Sequence, residues 1–485
     1  METLFLIAIV ARLALLGFPT LVDPSEARFA NAALRMVDSG NWVVPQIYTD
    51  ANRWEPYVAK PPLHMWLGAA TFSIFGAGSW SARLPSFIDT ILTLLLLVLF
   101  VRRLIPGTLT EDVPRVFLSS IGVFLVGVAA TTDPTLMLCI TGALVSIPLC
   151  FESEGRISKG WGLLASLFLA LGFLTKGPVA VVLPGMTVFL WVWFYRQWFL
   201  LRKLPWISGS LLFFAITLPW YLVAERESPG FLNYYFVVEN FKRYFYSRLP
   251  LRYGSAHRYP FGVIWLFLFV AMIPWSFALV SLRRREFRAR VTRACRENRW
   301  LGYAVLWALT PAIFFSFARQ ILPTYALPAT PASAIVLAWL WREEKIPRCV
   351  NRVWLFSISF YLAAIILGAP TIASRFSTEA ILDEVMKGRE IGEVKVAFLR
   401  KRPQSALFLM KTKYRGRLTL RVIEELGEIR AGAFDVILIS SRDLKRLKEV
   451  ERRSLVPVRQ VGGWLEVRMS LPKKLDIYPD VDSPA

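Results

Sequence analysis

Apolar residues fall along this chain in long unbroken blocks, not in the short alternations of an ordinary globular core, and connectors rich in arginine and lysine separate the blocks. A bilayer core asks for roughly 17–25 mainly apolar residues per helical span, and about eleven such windows can be marked. Their approximate cores are 3–20, 84–101, 115–130, 134–151, 161–175, 178–195, 206–223, 260–280, 301–317, 323–341 and 352–372. Beyond residue 373 the pattern changes to short apolar runs between charged stretches. There 395–400, 405–410, 418–423, 434–441 and 463–469 read as strands, and 378–387 and 442–453 as helices. The expected architecture is a polytopic α-helical membrane portion, 1–373, followed by a small α/β portion outside the membrane, 374–485.

Two connectors are too long to be mere turns, 21–83 and 224–259. In the first, Asp23 or Ser25 can cap a helix running to about Asp38 and stopped by Ser39-Gly40. Phe29, Ala33 and Val37 share one stripe of it and Arg28, Asn31 and Arg35 the opposite one, a pattern suited to lying along a membrane surface. A second helix is predicted from Pro61-Pro62 to Gly76.

Charge then orients the chain. Short connectors rich in lysine and arginine stay in the cytoplasm. Arg102, Arg103 and Arg115, Arg156 and Lys159, Arg196, Arg202 and Lys203, the run Arg283 to Arg299, and Arg342, Lys345, Arg348 and Arg352 all fall in alternate connectors. This places 21–83, the turns at Asp133 and at Lys176-Gly177-Pro178, 224–259, Arg319-Gln320 and the C-terminal portion outside. Much of the formal charge of +22 lies in the inner connectors. Topology therefore accounts for it better than a nucleic-acid partner. Of the four cysteines and two histidines, no cysteine faces the outside and no zinc-finger-like cluster forms. No Gly-rich phosphate loop or nucleophile elbow occurs. The first apolar run, with Arg12 inside it, reads as a retained helix.

The outer connectors hold the candidate chemistry. Lys60 precedes the second loop helix, so its ammonium adds to the positive end of that helix's dipole, a setting for phosphate as well as for an ordinary interfacial lysine. Asp23 and Glu26 fit a helix cap as readily as a catalytic acid. Asp133 and Lys176 are single charges at tight turns between apolar spans, where ionisable groups face cavities or snorkel. The 224–259 connector carries Glu239, Lys242, Arg243, Arg248, Arg252, His257 and Arg258 among tyrosines, an outer basic excess suited to an anion. His64 reads as structural.

The chain resembles the type C fold (GT-C) glycosyltransferases that use lipid-linked sugars, in particular the bacterial aminoarabinose transferase and protein O-mannosyltransferase-like superfamily. The likeness rests on Asp23-Pro24-Ser25-Glu26-Ala27-Arg28-Phe29-Ala30, Ser39-Gly40-Asn41-Trp42-Val43-Val44-Pro45, Lys60-Pro61-Pro62-Leu63 through Trp66, and Arg83-Leu84-Pro85-Ser86. It continues in order through Asp133-Pro134, Leu174-Thr175-Lys176-Gly177-Pro178, Pro219-Trp220-Tyr221, Val238-Glu239-Asn240, Phe315-Ser316 and Leu322-Pro323-Thr324-Tyr325-Ala326-Leu327-Pro328. The resemblance implies transfer of a sugar from a polyprenyl-phosphate donor, with inversion, onto a glycolipid, glycan or protein acceptor at the outer face of a bacterial or archaeal plasma membrane. By it, Asp23 or Glu26 is the acid of the first loop and Asp133 the second. Arg28, Lys60 and Arg258 hold the carrier phosphate and Tyr57, Lys176 and Tyr325 line the donor pocket, while Glu239 and His257 of the 224–259 connector are further substrate-binding candidates. The aminoarabinose enzymes have adjacent Asp-Glu where this chain has Ser25-Glu26, and a tyrosine at Phe29. Ala59 stands where they carry a glutamate that joins a histidine matching His257 at a metal, so no cofactor is expected to be required, and a divalent metal at His257 is the alternative. A flippase of lipid-linked sugars and a non-catalytic assembly protein are the competing expectations. Transporters favour internal repeats and broken helices at the midplane, whereas the polar residues here lie in outer loops.

Overall fold

The computed structural model describes residues 2–105, 107, 109–246, 252–253, 257–344, 347–387, 389, 392–428 and 433–469. Arg248, Lys345 and the side chain of Arg348 lie outside the described residues. The chain divides into two compact units, the first made of Met1–Phe18, Arg28–Ile47 and Glu55–Leu367, the second of Pro19–Ala27, Tyr48–Trp54 and Gly368–Ala485.

Every apolar window predicted in the first unit overlies helical residues. Among the described residues five helices are long and apolar enough to cross a membrane: Ser79–Leu104, Thr132–Glu152, Gly155–Lys176, Trp206–Glu227 and Cys349–Phe376. Others are broken. The window 260–280 is a helix, Val263–Ala271, followed at Pro274 by the 3-10 helix Trp275–Arg283, and 323–341 begins as the 3-10 helix Pro323–Ala329 before Thr330–Glu343. Proline removes a backbone donor and displaces the preceding turn, so the breaks fall where the sequence supplies one. Thr132–Glu152 is buried on every side and forms the axis of this unit. Aromatic side chains fill the space beside it, with Trp191 stacked on Trp300 at 4.8 Å between ring centres and the Tyr303 hydroxyl donating to the Leu144 carbonyl. Both predicted loop helices are present, as Ser25–Ser39 and Leu63–Phe75, the latter ended by Gly76 at positive φ. The connector after Trp206–Glu227 winds into a ten-residue π-helix, Asn233–Lys242, a geometry frequent at functional sites.

The first loop also contains a short hairpin, β1 (Gln46–Tyr48) and β2 (Trp54–Pro56). Its tip, Tyr48–Trp54, belongs to the second unit. That unit is built on a five-stranded sheet of β3 (Val394–Leu399), β4 (Leu418–Ile423), β5 (Val436–Ser440), β6 (Leu455–Val461) and β7 (Trp464–Met469), in the order β4-β3-β5-β7-β6. β3 runs parallel to β4 and β5, while β7 is antiparallel to β5 and β6. The stretch 405–410, expected as a strand, is instead part of the helix Gln404–Lys411. Ala406, Leu407, Leu409 and Met410 are strong helix formers without β-branching, and parallel pairing of β3 with β4 needs a crossover between them. The helix expected over 442–453 is two short pieces, Ser441–Leu444 and Glu449–Arg453. β6 was not foreseen; it holds Pro457 and is mostly exposed, as an edge strand permits.

Within this unit Asp23 accepts hydrogen bonds from the Ser405 backbone N–H at 2.9 Å and from its hydroxyl. The Asn52 side chain pairs with both the N–H and the carbonyl of Val422, each at 3.0 Å, filling the open edge of β4 as a further strand would. The β6–β7 turn passes through Gly462 at φ +57°, where an added Cβ would sit 1.9 Å from the Ser374 carbonyl oxygen. Gly462→Ala is expected to destabilise this unit by more than about 1 kcal/mol, read as faster amide exchange across β6 and β7.

Candidate active site

Two helix ends of opposite sign meet in the first unit. Asp133 lies in the first turn of Thr132–Glu152 and Lys176 is the last residue of Gly155–Lys176, so each charge is favoured by its own helix dipole. Both side chains are largely buried, and they form an ion pair. The Lys176 ammonium also lies over the ring of Tyr325, 4.4 Å from its centre. Gly177 follows at φ +67°, and a Cβ there would fall 2.3 Å from the Tyr235 hydroxyl. Only glycine lets the π-helix approach this turn.

That π-helix delivers the second cluster. Glu239 Oε1 accepts from Lys60 Nζ at 3.2 Å and from Arg243 Nη1 at 2.7 Å, while Lys60 also donates to its neighbour's carbonyl, Ala59, at 2.9 Å. Glu239 Oε2 is buried and makes no hydrogen bond among the described residues. Burial pulls the proton affinity of Arg243 down, but Tyr325, Glu239 and Tyr57 more than offset this and raise it above the usual guanidinium range. Tyr325 lies against Lys176, and the close approach of Gly177 to Tyr235 sets the turn after Lys176 against the π-helix that bears Glu239, which joins the two clusters.

A third group of contacts fixes the wall around Lys60. Tyr57 meets Tyr253 edge to face at 4.9 Å and Phe29 at 6.2 Å. The Tyr253 hydroxyl donates to the Pro56 carbonyl at 2.7 Å, and the Tyr253 carbonyl accepts from Arg28 Nη1 at 3.2 Å. Lys60, Arg28, Tyr57, Lys176, Glu239, Asp133 and Tyr325, named separately from the sequence, are therefore held on one connected set of contacts. Asp23 and Glu26 fall in the second unit. There Asp23 binds Ser405, and Glu26 accepts from the Val22 N–H at 3.2 Å as a helix-start acid does. His257 is exposed with its ring 6.2 Å from Tyr259, and Arg258 is exposed with its backbone bridged to Gln320.

Three contributors went unassigned in the sequence reading. Arg243 was one charge among many, and Tyr253 had no local signal. Asp89 lies inside an apolar span, which is itself the signal that should have singled it out. Its Oδ2 accepts from Thr135 Oγ1 at 2.6 Å, and Thr135 Oγ1 lies 3.1 Å from His64 Nδ1. The direction of the His64–Thr135 bond follows the imidazole tautomer. This buried chain ties Leu63–Phe75, just after Lys60, to Ser79–Leu104 and to the helix that bears Asp133.

Residues 59–222 match the family model of dolichyl-phosphate-mannose-protein mannosyltransferase. The undecaprenyl phosphate-alpha-4-amino-4-deoxy-L-arabinose arabinosyl transferases of Edwardsiella ictaluri and Enterobacter sp. are 30% and 31% identical over 65% and 67% of this chain. The matches cover 54% and 56% of those proteins, so the chain spans about half the length of the curated relatives it matches. The crystal structure of ArnT from Cupriavidus metallidurans bound to undecaprenyl phosphate superposes with a TM-score of 0.73 over 96% of this chain and 97% of that one, at 19% identity, which shows a common fold. The chain thus has the type C glycosyltransferase fold of that structure, and its sequence is similar to the aminoarabinose transferases and, over residues 59–222, to the protein-mannosyltransferase family model.

Proposed function

We propose that the chain is a multi-pass plasma-membrane enzyme that transfers a sugar from a polyprenyl-phosphate carrier to a hydroxyl or phosphate acceptor on the outer face. The observation that supports this best is the connected cluster in which four cations, Arg28, Lys60, Lys176 and Arg243, accompany two carboxylates, Asp133 and Glu239. The surplus positive charge suits one phosphate, and the neighbouring apolar helices suit a carrier whose tail stays in the bilayer.

The chemistry follows from that charge balance. As the anomeric C–O bond breaks, its electron pair moves onto the carrier phosphate, whose negative charge rises. Cations placed beforehand stabilise this developing charge without reorganising, so no general acid is needed on the leaving group. The acceptor oxygen attacks from the opposite face and loses its proton to a carboxylate, giving inversion. Asp133 is the carboxylate of this cluster proposed as that base, and alanine at Asp23 and Glu26 tests the alternative that the resemblance gives.

The test is a transfer assay with radiolabelled polyprenyl-phosphate sugar in membranes carrying the protein, with alanine placed in turn at Asp23, Glu26 and Asp133. Loss of the true base is expected to lower turnover by about 10²–10⁴-fold with the fold intact. Unchanged transfer in all three variants would refute the assignment of the base.

A further inference from the structure

On the connectors assigned to the inner face, the 3-10 helix Trp275–Arg283 and the end of Thr330–Glu343 enclose a cleft of about 480 Å³. Phe277, Val280 and Trp341 line it together with Arg283, Arg284 and Glu344. Phe277 and Val280 remain 56% and 55% exposed, which leaves apolar surface open at the cleft.

The surrounding arginines divide by what they already do. Arg284 pairs with Glu344, and Arg290 lies 3.9 Å from Glu343 with its guanidinium 4.7 Å from the centre of the buried Phe287 ring. Arg288 donates to the Leu282 and Arg283 carbonyls at 2.9 and 3.1 Å. These contacts pin the amphipathic helix Arg285–Glu297 beside the cleft. Arg283, on the cleft wall, is exposed and makes no ion pair among the described residues. Arg284 is steadied by Glu344, yet a guanidinium has five N–H donors, and one carboxylate leaves some of them for a second anion. A cleft lined by an indole, an exposed phenyl ring and two guanidinium groups matches a molecule that has both apolar chains and a phosphodiester headgroup.

We propose that this cleft binds the headgroup of an anionic membrane phospholipid, Arg283 and Arg284 holding its phosphate while its acyl chains lie along Phe277 and Val280. The site is separate from the proposed transfer site and does not depend on that activity. It uses the general attraction of inner-face basic residues for anionic lipid, but confines it to two arginines on a shaped wall.

The test uses the full-length protein in phosphatidylcholine nanodiscs with and without phosphatidylglycerol, reading retained lipid by native mass spectrometry and the thermal midpoint. Wild type is expected to retain phosphatidylglycerol and gain stability from it. Arg283→Ala, which leaves the Arg284–Glu344 pair in place, is expected to weaken retention about fivefold, and the double variant with Arg284→Ala more strongly. Arg293→Ala, outside the cleft, is expected to behave as wild type. An equal loss with Arg293→Ala would mean only diffuse charge attraction. Equal retention of phosphatidylcholine, the same stabilisation by inorganic phosphate, or undiminished retention in Arg283→Ala would each overturn the proposal.

Discussion

Lys176→Ala is expected to lower sugar transfer by roughly 10²–10³-fold, the loss typical when a preorganised charge facing the developing anion is removed. The ammonium sits between the Asp133 carboxylate and the Tyr325 ring, both on rigid elements, so no neighbouring side chain can take its position. The same change leaves Asp133 buried without its partner, and breaking a buried ion pair costs about 3–5 kcal/mol. Stability and catalysis are separable here. The double variant Lys176→Met with Asp133→Asn removes both charges, so it is expected to recover most of the thermal stability and none of the transfer. Differential scanning fluorimetry beside the radiolabel assay checks both halves. Recovery of transfer in the double variant would mean that the pair serves only to hold two helix ends together.

Glu239→Gln is expected to change binding and turnover in opposite directions. Glu239 now neutralises Lys60 and Arg243 through one oxygen, and so competes with any incoming phosphate for both cations. Glutamine keeps an acceptor at that place and removes the charge. Polyprenyl phosphate is therefore expected to bind about tenfold tighter, the effect of removing one screened like charge near the ligand. Turnover is expected to fall in step as the product carrier leaves more slowly. Equilibrium binding and steady-state rates measured on the same preparation check the two signs. Weaker binding in Glu239→Gln would place the phosphate elsewhere.

The apolar helices and the two loop helices were readable because each depends on local pattern: long apolar runs, Pro61-Pro62 at a helix start, Gly76 at its end. The individual candidates Lys60, Asp133 and Lys176 were readable as charges at helix ends beside membrane spans. Their partners were not. Lys60 meets Glu239 across 179 positions and Asp23 meets Ser405 across 382, and no local signal couples residues at such separations. This is also why the two units could not be drawn from composition. The shift at residue 373 marks where spans end, but the second unit takes in Pro19–Ala27 and Tyr48–Trp54 through long-range hydrogen bonds. The run at 405–410 was misread because a six-residue apolar stretch has no period of its own to separate strand from helix.

The most direct test of the central claim is equilibrium binding of polyprenyl phosphate to purified protein in nanodiscs, compared among wild type, Lys60→Ala, Arg243→Ala and Lys176→Ala. Saturable binding by wild type, weakened at least about tenfold by each substitution while the thermal transition stays cooperative, is the predicted result. Folded variants that bind the carrier as tightly as wild type would contradict the account, because the phosphate would then be held by some other part of the molecule.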